Sequence, residues 1–227
     1  MATGNEFGDQ TQVPSGYGAL ATLKYESFAK FKSDVSAGRI DPTVKVVVYD
    51  PENWADTPEQ ERKDPGRYLA MFRDLAKSRG YVYGAAPSRD IVTVSGGLCT
   101  RRSGERISDA FLRCRIAEKA AACSSTGVCP DIYQAQSQVH ESDPAMFRWF
   151  LEQTRAQARA VNGNVTFHGG ISTSPYRTVA TAEMLYTAHQ AAKALVQGYY
   201  FTVNGGEEDV ARAFLARLRQ DDLAAGL

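Results

Sequence analysis

The sequence predicts an α/β fold of the (β/α) TIM-type barrel class, possessing at least six βα units, and three observations carry that prediction. From Tyr17 onward, short β-type runs alternate with amphipathic helical runs, the pattern of parallel strands joined by crossover helices. The first strand runs into Lys24, Tyr25, Glu26 and Ser27 without the glycine-rich phosphate loop that usually follows the first strand of a doubly wound open sheet. In the segment from Val44 to Glu52, the period-two face holding Val46 and Val48 continues into Asp50 and Glu52. Apolar residues low in a strand and carboxylates at its C-terminal end suit a barrel interior rising to an active-site mouth.

In chain order, residues 1–16 read as a flexible polar segment without the apolar run of a signal peptide, and residues 17–227 as a single barrel domain. Strands are expected at Gly18 to Lys24, Val44 to Asp50, Tyr81 to Ala86, Ile132 to Gln138, Val165 to His168 and Tyr199 to Val203. Helices are expected at Ser27 to Ala37, from Asp64-Pro65 to Gly80, and from Arg106 to Cys123. Three more follow, from Asp143-Pro144 to Asn162-Gly163, from Thr178 to Gln197 and from Glu207 to Arg219. Asp-Pro at a helix start supplies an N-cap and a first-turn proline, and Gly closes the end. A full barrel needs eight strands, so two must be irregular, in segments such as Arg89 to Val94, or missing.

Composition bounds the function. The 227 residues are 43% hydrophobic, enough for a substantial core, and 26 Lys plus Arg balance 26 Asp plus Glu. That balance gives no field favouring nucleic acid or an anionic membrane surface. Apolar runs such as Val46–Tyr49 fall far below the ~20 residues of a membrane-spanning helix. The dinucleotide, P-loop, zincin and serine-hydrolase motifs are absent, so no cofactor is expected.

Cys99, Cys114, Cys123 and Cys129 cluster without zinc-type spacing. On one helix, Cys114 and Cys123 would lie about 13 Å apart along the axis, beyond disulfide reach. The short-loop pairing of Cys99 with Cys114 and Cys123 with Cys129 is favoured over crossed pairing, with four buried thiols as the alternative. Disulfides imply an oxidising, extracytoplasmic compartment.

The segment Tyr49-Asp50-Pro51-Glu52-Asn53-Trp54 is the main candidate for chemistry. Two carboxylates on one strand face can be driven to different pKa values, with Glu52 as general acid, Asp50 as its ionised partner and Trp54 as an aromatic platform. Asp-Pro occurs four times in the chain, so Asp50 has a competing reading as a turn starter. Gln134, Gln136 and Gln138 alternate on the fourth strand and would present amides to a polyhydroxylated ligand. His168 ends the fifth strand and Asn204 follows the last one. His140, Glu141 and Asp143 could join a metal site with Asp50 and Glu52, but Asp143 is needed as a helix cap and no metal is assigned. Lys24 could form a Schiff base, though nothing near it in sequence supports one. His189, mid-helix, reads as a surface residue.

The order of segments resembles the second half of family 18 glycoside hydrolases, the chitinase-like (β/α)8 barrels, over roughly residues 44–204. Asp50-Pro51-Glu52 is similar to the end of their acidic strand, and Tyr83-Gly84-Ala85-Ala86-Pro87 to the strand after it. Asp131-Ile132-Tyr133-Gln134-Ala135-Gln136 resembles their sixth strand, and Phe167-His168-Gly169-Gly170-Ile171-Ser172 a glycine-rich seventh. The resemblance implies Glu52 as proton donor and Asp50 as support for a substrate-assisted intermediate. The chain departs from the family at Lys45 to Val48, where further aspartates are expected, at Gln138 in place of a tyrosine, and at Tyr200 to Val203, which lack the floor tryptophan. The expected function is a secreted, glycoside-hydrolase-type barrel acting on or binding a carbohydrate or other small polar ligand. The alternatives are a carbohydrate-binding barrel without turnover and a metal-assisted lyase or isomerase.

Overall fold

A computed structural model describes residues 21–175 and 178–224. The expected N-terminal segment 1–16 and the beginning of the first expected strand lie outside the described residues. The described strands are β1 (Thr22–Tyr25), β2 (Val46–Tyr49), β3 (Val82–Ala85), β4 (Ile132–Ala135), β5 (Thr166–Ser172) and β6 (Gly198–Thr202). They follow one another in chain order, and the pairs β1–β2, β2–β3, β3–β4 and β5–β6 are parallel. A doubly wound sheet reverses its order at a switch point. This sheet does not reverse, and six sequential parallel strands alternating with helices fit an incomplete TIM-like barrel.

The helices are α1 (Phe28–Ser36), α2 (Glu59–Lys63), α3 (Pro65–Ser78), α4 (Ile107–Arg113), α5 (Ile116–Ala121), α6 (Pro144–Val161), α7 (Ala182–Ala192) and α8 (Glu208–Ala224). Their starts obey local chemistry. Ser27, Asp64, Asp143 and Thr181 each accept a backbone N–H from three residues on, meeting a donor the first turn leaves open.

The chain divides into two compact units. The first holds the described residues up to Tyr133, plus Gln157–Thr166. Its core is built on one ring: Phe72 of α3 stacks on Phe31 at 4.1 Å, on Tyr49 at 4.8 Å and on Tyr83 at 5.4 Å between centroids. Tyr25, Tyr49 and Tyr83 thus mark the helix-facing side of β1, β2 and β3. Strand alternation sends Lys24, Val48 and Gly84 to the other face. A Cβ on Gly84 would lie 3.2 Å from Val48, so glycine permits the close approach of neighbouring strands.

The second unit comprises Gln134–Ala156 and the described residues from Phe167 onward. Phe147, Phe150, Leu151, Phe167, Ile171 and Leu185 are among its buried apolar residues. His189, expected at the surface, is half-buried, with ring centroids 5.5 Å from Tyr199 and 6.3 Å from Phe214.

Three expectations are corrected. The helix expected over Arg106 to Cys123 is two helices, α4 and α5, broken at Arg115, whose φ of 54° is left-handed. No Gly or Pro marks the break. It coincides with tertiary restraints on the preceding residues: Cys114 is bonded to Cys99, and Arg113 is held by Glu105 and the Thr100 carbonyl. Arg89–Thr93 is a 3-10 helix, not a hidden strand, with Ile91 and Val92 buried. The fourth strand ends at Ala135, so Gln138 sits in a 3-10 turn rather than alternating with Gln134 along a strand.

The disulfides are Cys99–Cys114, with Cα atoms 5.7 Å apart, and Cys123–Cys129, at 4.1 Å. This is the short-loop pairing, and it holds although the helix used to argue it is broken.

Candidate functional site

In the first unit the predicted residues gather beyond the C-terminal ends of β1 and β2. The Asp50 N–H donates to the Tyr25 carbonyl at 2.9 Å, which carries the strand pairing one step past β2. Asp50 is 5% exposed, and its carboxylate lies 3.2 Å from the Lys24 ammonium, which also meets Glu26 at 3.3 Å. An ammonium paired with two carboxylates is not the free amine a Schiff base requires. The carboxylate of Asp50 therefore faces a charge partner on the neighbouring strand, beyond what a turn starter needs.

The loop after Asp50 is fastened by polar contacts. The Glu52 N–H donates to Thr57 Oγ1 at 3.1 Å, and that hydroxyl donates to the Glu26 carbonyl at 3.0 Å. Asn53 donates from its backbone to Asp90 at 3.1 Å and from its side chain to Thr93 at 2.8 Å, while Arg62 donates to Asn53 Oδ1 at 3.1 Å. Loops after β1, β2 and β3 are thus joined around one group of charges: Lys24, Glu26, Asp50, Glu52 and Asp90.

Glu52 is the perturbed member. Burial, then the negative charge of Asp50, pushes its carboxyl up to about 8; Lys24 pulls it back, and Asp90 and Glu26 add to the rise. Burial and the neighbouring charge of Asp50 thus favour the protonated form of Glu52, a property suited to general acid chemistry. Trp54, 38% exposed, follows on the same loop.

Sequence reasoning missed Glu61 in this unit. It is fully buried, accepting from Ser27 Oγ at 3.2 Å, the Phe28 and Ala29 amides at 2.7 and 3.1 Å, and the Tyr49 hydroxyl at 2.8 Å. A carboxylate on the first amides of α1 meets its dipole, so Glu61 is a structural anion fixing the loop after β1. Its acidic, charge-rich surroundings in sequence, Glu59 to Lys63, gave no sign of burial.

The other predicted residues lie in the second unit. Gln134 and Gln136 are buried, and Gln138 Nε2 donates to Gln136 Oε1 at 3.4 Å. His168 lies over Gly198, where a Cβ would be 3.1 Å from its Nε2, and burial lowers its pKa, favouring the neutral ring. Asn204 donates its backbone N–H to Thr173 Oγ1 at 3.0 Å, and its carbonyl accepts from Glu207. Asp143 is the cap of α6, as expected. Glu141, weighed in sequence only as a metal ligand, is 1% exposed; burial pushes its carboxyl up to about 8, against the Ser172 N–H that it accepts. Among the described residues, no three or more His, Cys, Asp or Glu side chains are grouped to hold a metal ion, and no helix is long and apolar enough to cross a membrane.

No protein-family model matches the chain, and no curated protein matches it. Among solved structures, an active-site mutant of Rhizomucor miehei β-1,3-glucanosyltransferase in complex with laminaritriose is similar over 79% of this chain, with 9% identity and a TM-score of 0.39. The similarity spans 63% of that protein's chain.

Proposed function

We propose that this chain is an extracytoplasmic barrel of glycoside-hydrolase type acting on a carbohydrate, with Glu52 as general acid and Asp50 as its electrostatic partner. The observation that carries the reading is the pair itself: Glu52, pushed up to about 8, stands beside Asp50, which Lys24 holds at 3.2 Å. An acid titrating near the operating pH is suited to protonate a leaving glycosidic oxygen, and a fixed carboxylate favours the positive charge that develops on the sugar ring. In this reading Trp54 offers a ring face to a sugar. The second unit, taken by itself, offers the amides of Gln134, Gln136, Gln138 and Asn204 and the imidazole of His168 to hydroxyl groups of a polar ligand. Two disulfides support an oxidising compartment. The absence of net charge suits an uncharged ligand.

The test is Glu52→Gln assayed on a panel of polysaccharides that the parent protein cleaves. Activity should fall by roughly 10²–10⁴-fold, the usual worth of a positioned acid, while binding persists. A variant with full activity sinks the assignment. The parent rate should also decline as pH rises through about 8, where Glu52 loses its proton.

One observation favours a second reading, a carbohydrate-binding barrel without turnover: the Asp50 carboxylate is engaged by Lys24 rather than free to attack. Oligosaccharide binding with no product after prolonged incubation would establish it over the first.

A further inference from the structure

Resting on the reading of Glu52 as the acid, we propose that Asp90 is its positioning residue, fixing the backbone beyond Glu52 and setting a negative charge within reach of its carboxyl. The Glu52 carboxyl itself makes no hydrogen bond among the described residues. Its place therefore depends on the main chain to either side and on the charges around it.

The segment after β3 supplies both restraints. Pairing of β2 with β3 runs on past the strands: the Ala86 N–H donates to the Tyr49 carbonyl at 2.9 Å, and the Ser88 N–H donates to the Pro51 carbonyl at 3.0 Å. Two residues on, Asp90 Oδ1 accepts the Asn53 N–H at 3.1 Å. Pro51 and Asn53 flank Glu52, so one short stretch, Ser88 to Asp90, brackets it from both sides. The Asn53 side chain closes the clasp by donating to Thr93 Oγ1 at 2.8 Å, and that hydroxyl donates to the Asp90 carbonyl at 2.6 Å. The base of this bracket is packed: Ile91 and Val92 of the 3-10 helix are buried, and buried Arg89 donates to Ser108 Oγ of α4 at 2.7 Å.

An amide oxygen would accept the Asn53 N–H as a carboxylate does, so what aspartate adds at this position is charge. Asp90 is half-buried, where screening is weaker than at the open surface. The groups acting on Glu52 are Asp50, Lys24, Asp90 and Glu26, from β1 and the loops after β1, β2 and β3. Lys24 favours loss of the Glu52 proton and the three carboxylates favour its retention. Lys24 is shared by Asp50 and Glu26, whereas Asp90 has no cation paired with it among the described residues. Its charge therefore reaches Glu52 without a counter-ion of its own.

The test is Asp90→Asn, read by carboxyl NMR on the whole protein, with the Glu52 signal assigned by its loss in Glu52→Gln. The variant keeps an acceptor for Asn53 and removes the charge, so the Glu52 midpoint, about 8 in the parent, should move down by roughly half a pH unit or more. Amide exchange at Asn53 should stay within about threefold of the parent in Asp90→Asn and rise roughly tenfold or more in Asp90→Ala, which removes the acceptor. On any polysaccharide that the parent cleaves, the alkaline limb of kcat/KM should follow the Glu52 midpoint. A midpoint that stays in place in Asp90→Asn overturns the assignment, as does Asn53 exchange in Asp90→Ala equal to the parent's. Should Asp90→Ala fail to fold, the midpoint in Asp90→Asn decides alone. A parent that cleaves no polysaccharide overturns the hydrolase reading, while the two NMR measurements still decide whether Asp90 positions Glu52.

Discussion

Glu141→Gln gives a stability test that needs no ligand. The Glu141 carboxyl is 1% exposed and titrates near 8 in the folded chain, against 4.5 for an ordinary glutamate. At 1.36 kcal/mol for each pH unit between the two values, the buried charge costs about 5 kcal/mol once fully formed. The sign follows from proton counting. Between pH 4.5 and 8 the unfolded chain has released this proton and the native chain has kept it, so stability falls as pH rises. Below 4.5 there is no cost; above 8 the cost is complete. Glutamine is neutral throughout and close in shape to the protonated acid. Urea unfolding of both proteins at pH 5, 7 and 9 should therefore show near-equal stability at pH 5 and an advantage of roughly 3–5 kcal/mol for the variant at pH 9. Glu52 titrates in both proteins and cancels in the difference. A difference that does not change with pH refutes the reasoning, because Glu141 would then ionise as readily folded as unfolded.

Other predictions follow from packing and covalent restraint. Glu61→Ala strips four hydrogen bonds and leaves the buried Tyr49 hydroxyl and the Phe28 amide unmet, so chemical denaturation should show a loss of about 3–5 kcal/mol. Phe72→Ala removes the ring on which Phe31, Tyr49 and Tyr83 stack and should cost about 3–5 kcal/mol by the same measurement. Loss of the disulfides should destabilise unequally. With sequence separations of 15 and 6, loop-closure entropy assigns about 3 kcal/mol to Cys99–Cys114 and about 2 kcal/mol to Cys123–Cys129, measurable as separate Cys→Ser pairs. Equal losses would count against the entropic account.

Much of the fold was legible because its signals are local. Ser27, Asp64 and Asp143 stand where caps must stand, and α1, α3 and α6 begin beside them as expected. Strand β2 is a run of β-branched residues and Tyr49, and its parallel neighbours follow from the crossover pattern. Illegible elements were those set at a distance. Arg115 turns left-handed in a segment whose period reads as helix throughout. Gln138 leaves the alternation of Gln134 and Gln136 because the strand stops, which the spacing of three glutamines does not reveal.

The candidate chemistry divides in the same way. Asp50 and Glu52 were singled out from their place at a strand end, but the raised pKa of Glu52 depends on burial and on the charges of Asp50, Lys24, Asp90 and Glu26, contributed by β1 and by the loops after β1, β2 and β3. Glu61 and Glu141 look alike in sequence, each a glutamate in a polar stretch. The fold makes the first a fully bonded helix anchor and leaves the second with one oxygen unpartnered.

Sequence alone indicated an α/β chain, the order of its strands and helices, and the favoured disulfide pairing that the structure contains. All of these depend on residue type, local period and chain distance. Tertiary structure alone decided which carboxyls are pushed above their usual range, which lysine pairs with which acid, and which glutamate is structural. Those outcomes depend on desolvation and on charges brought together across strands, and neither quantity exists until the chain has packed.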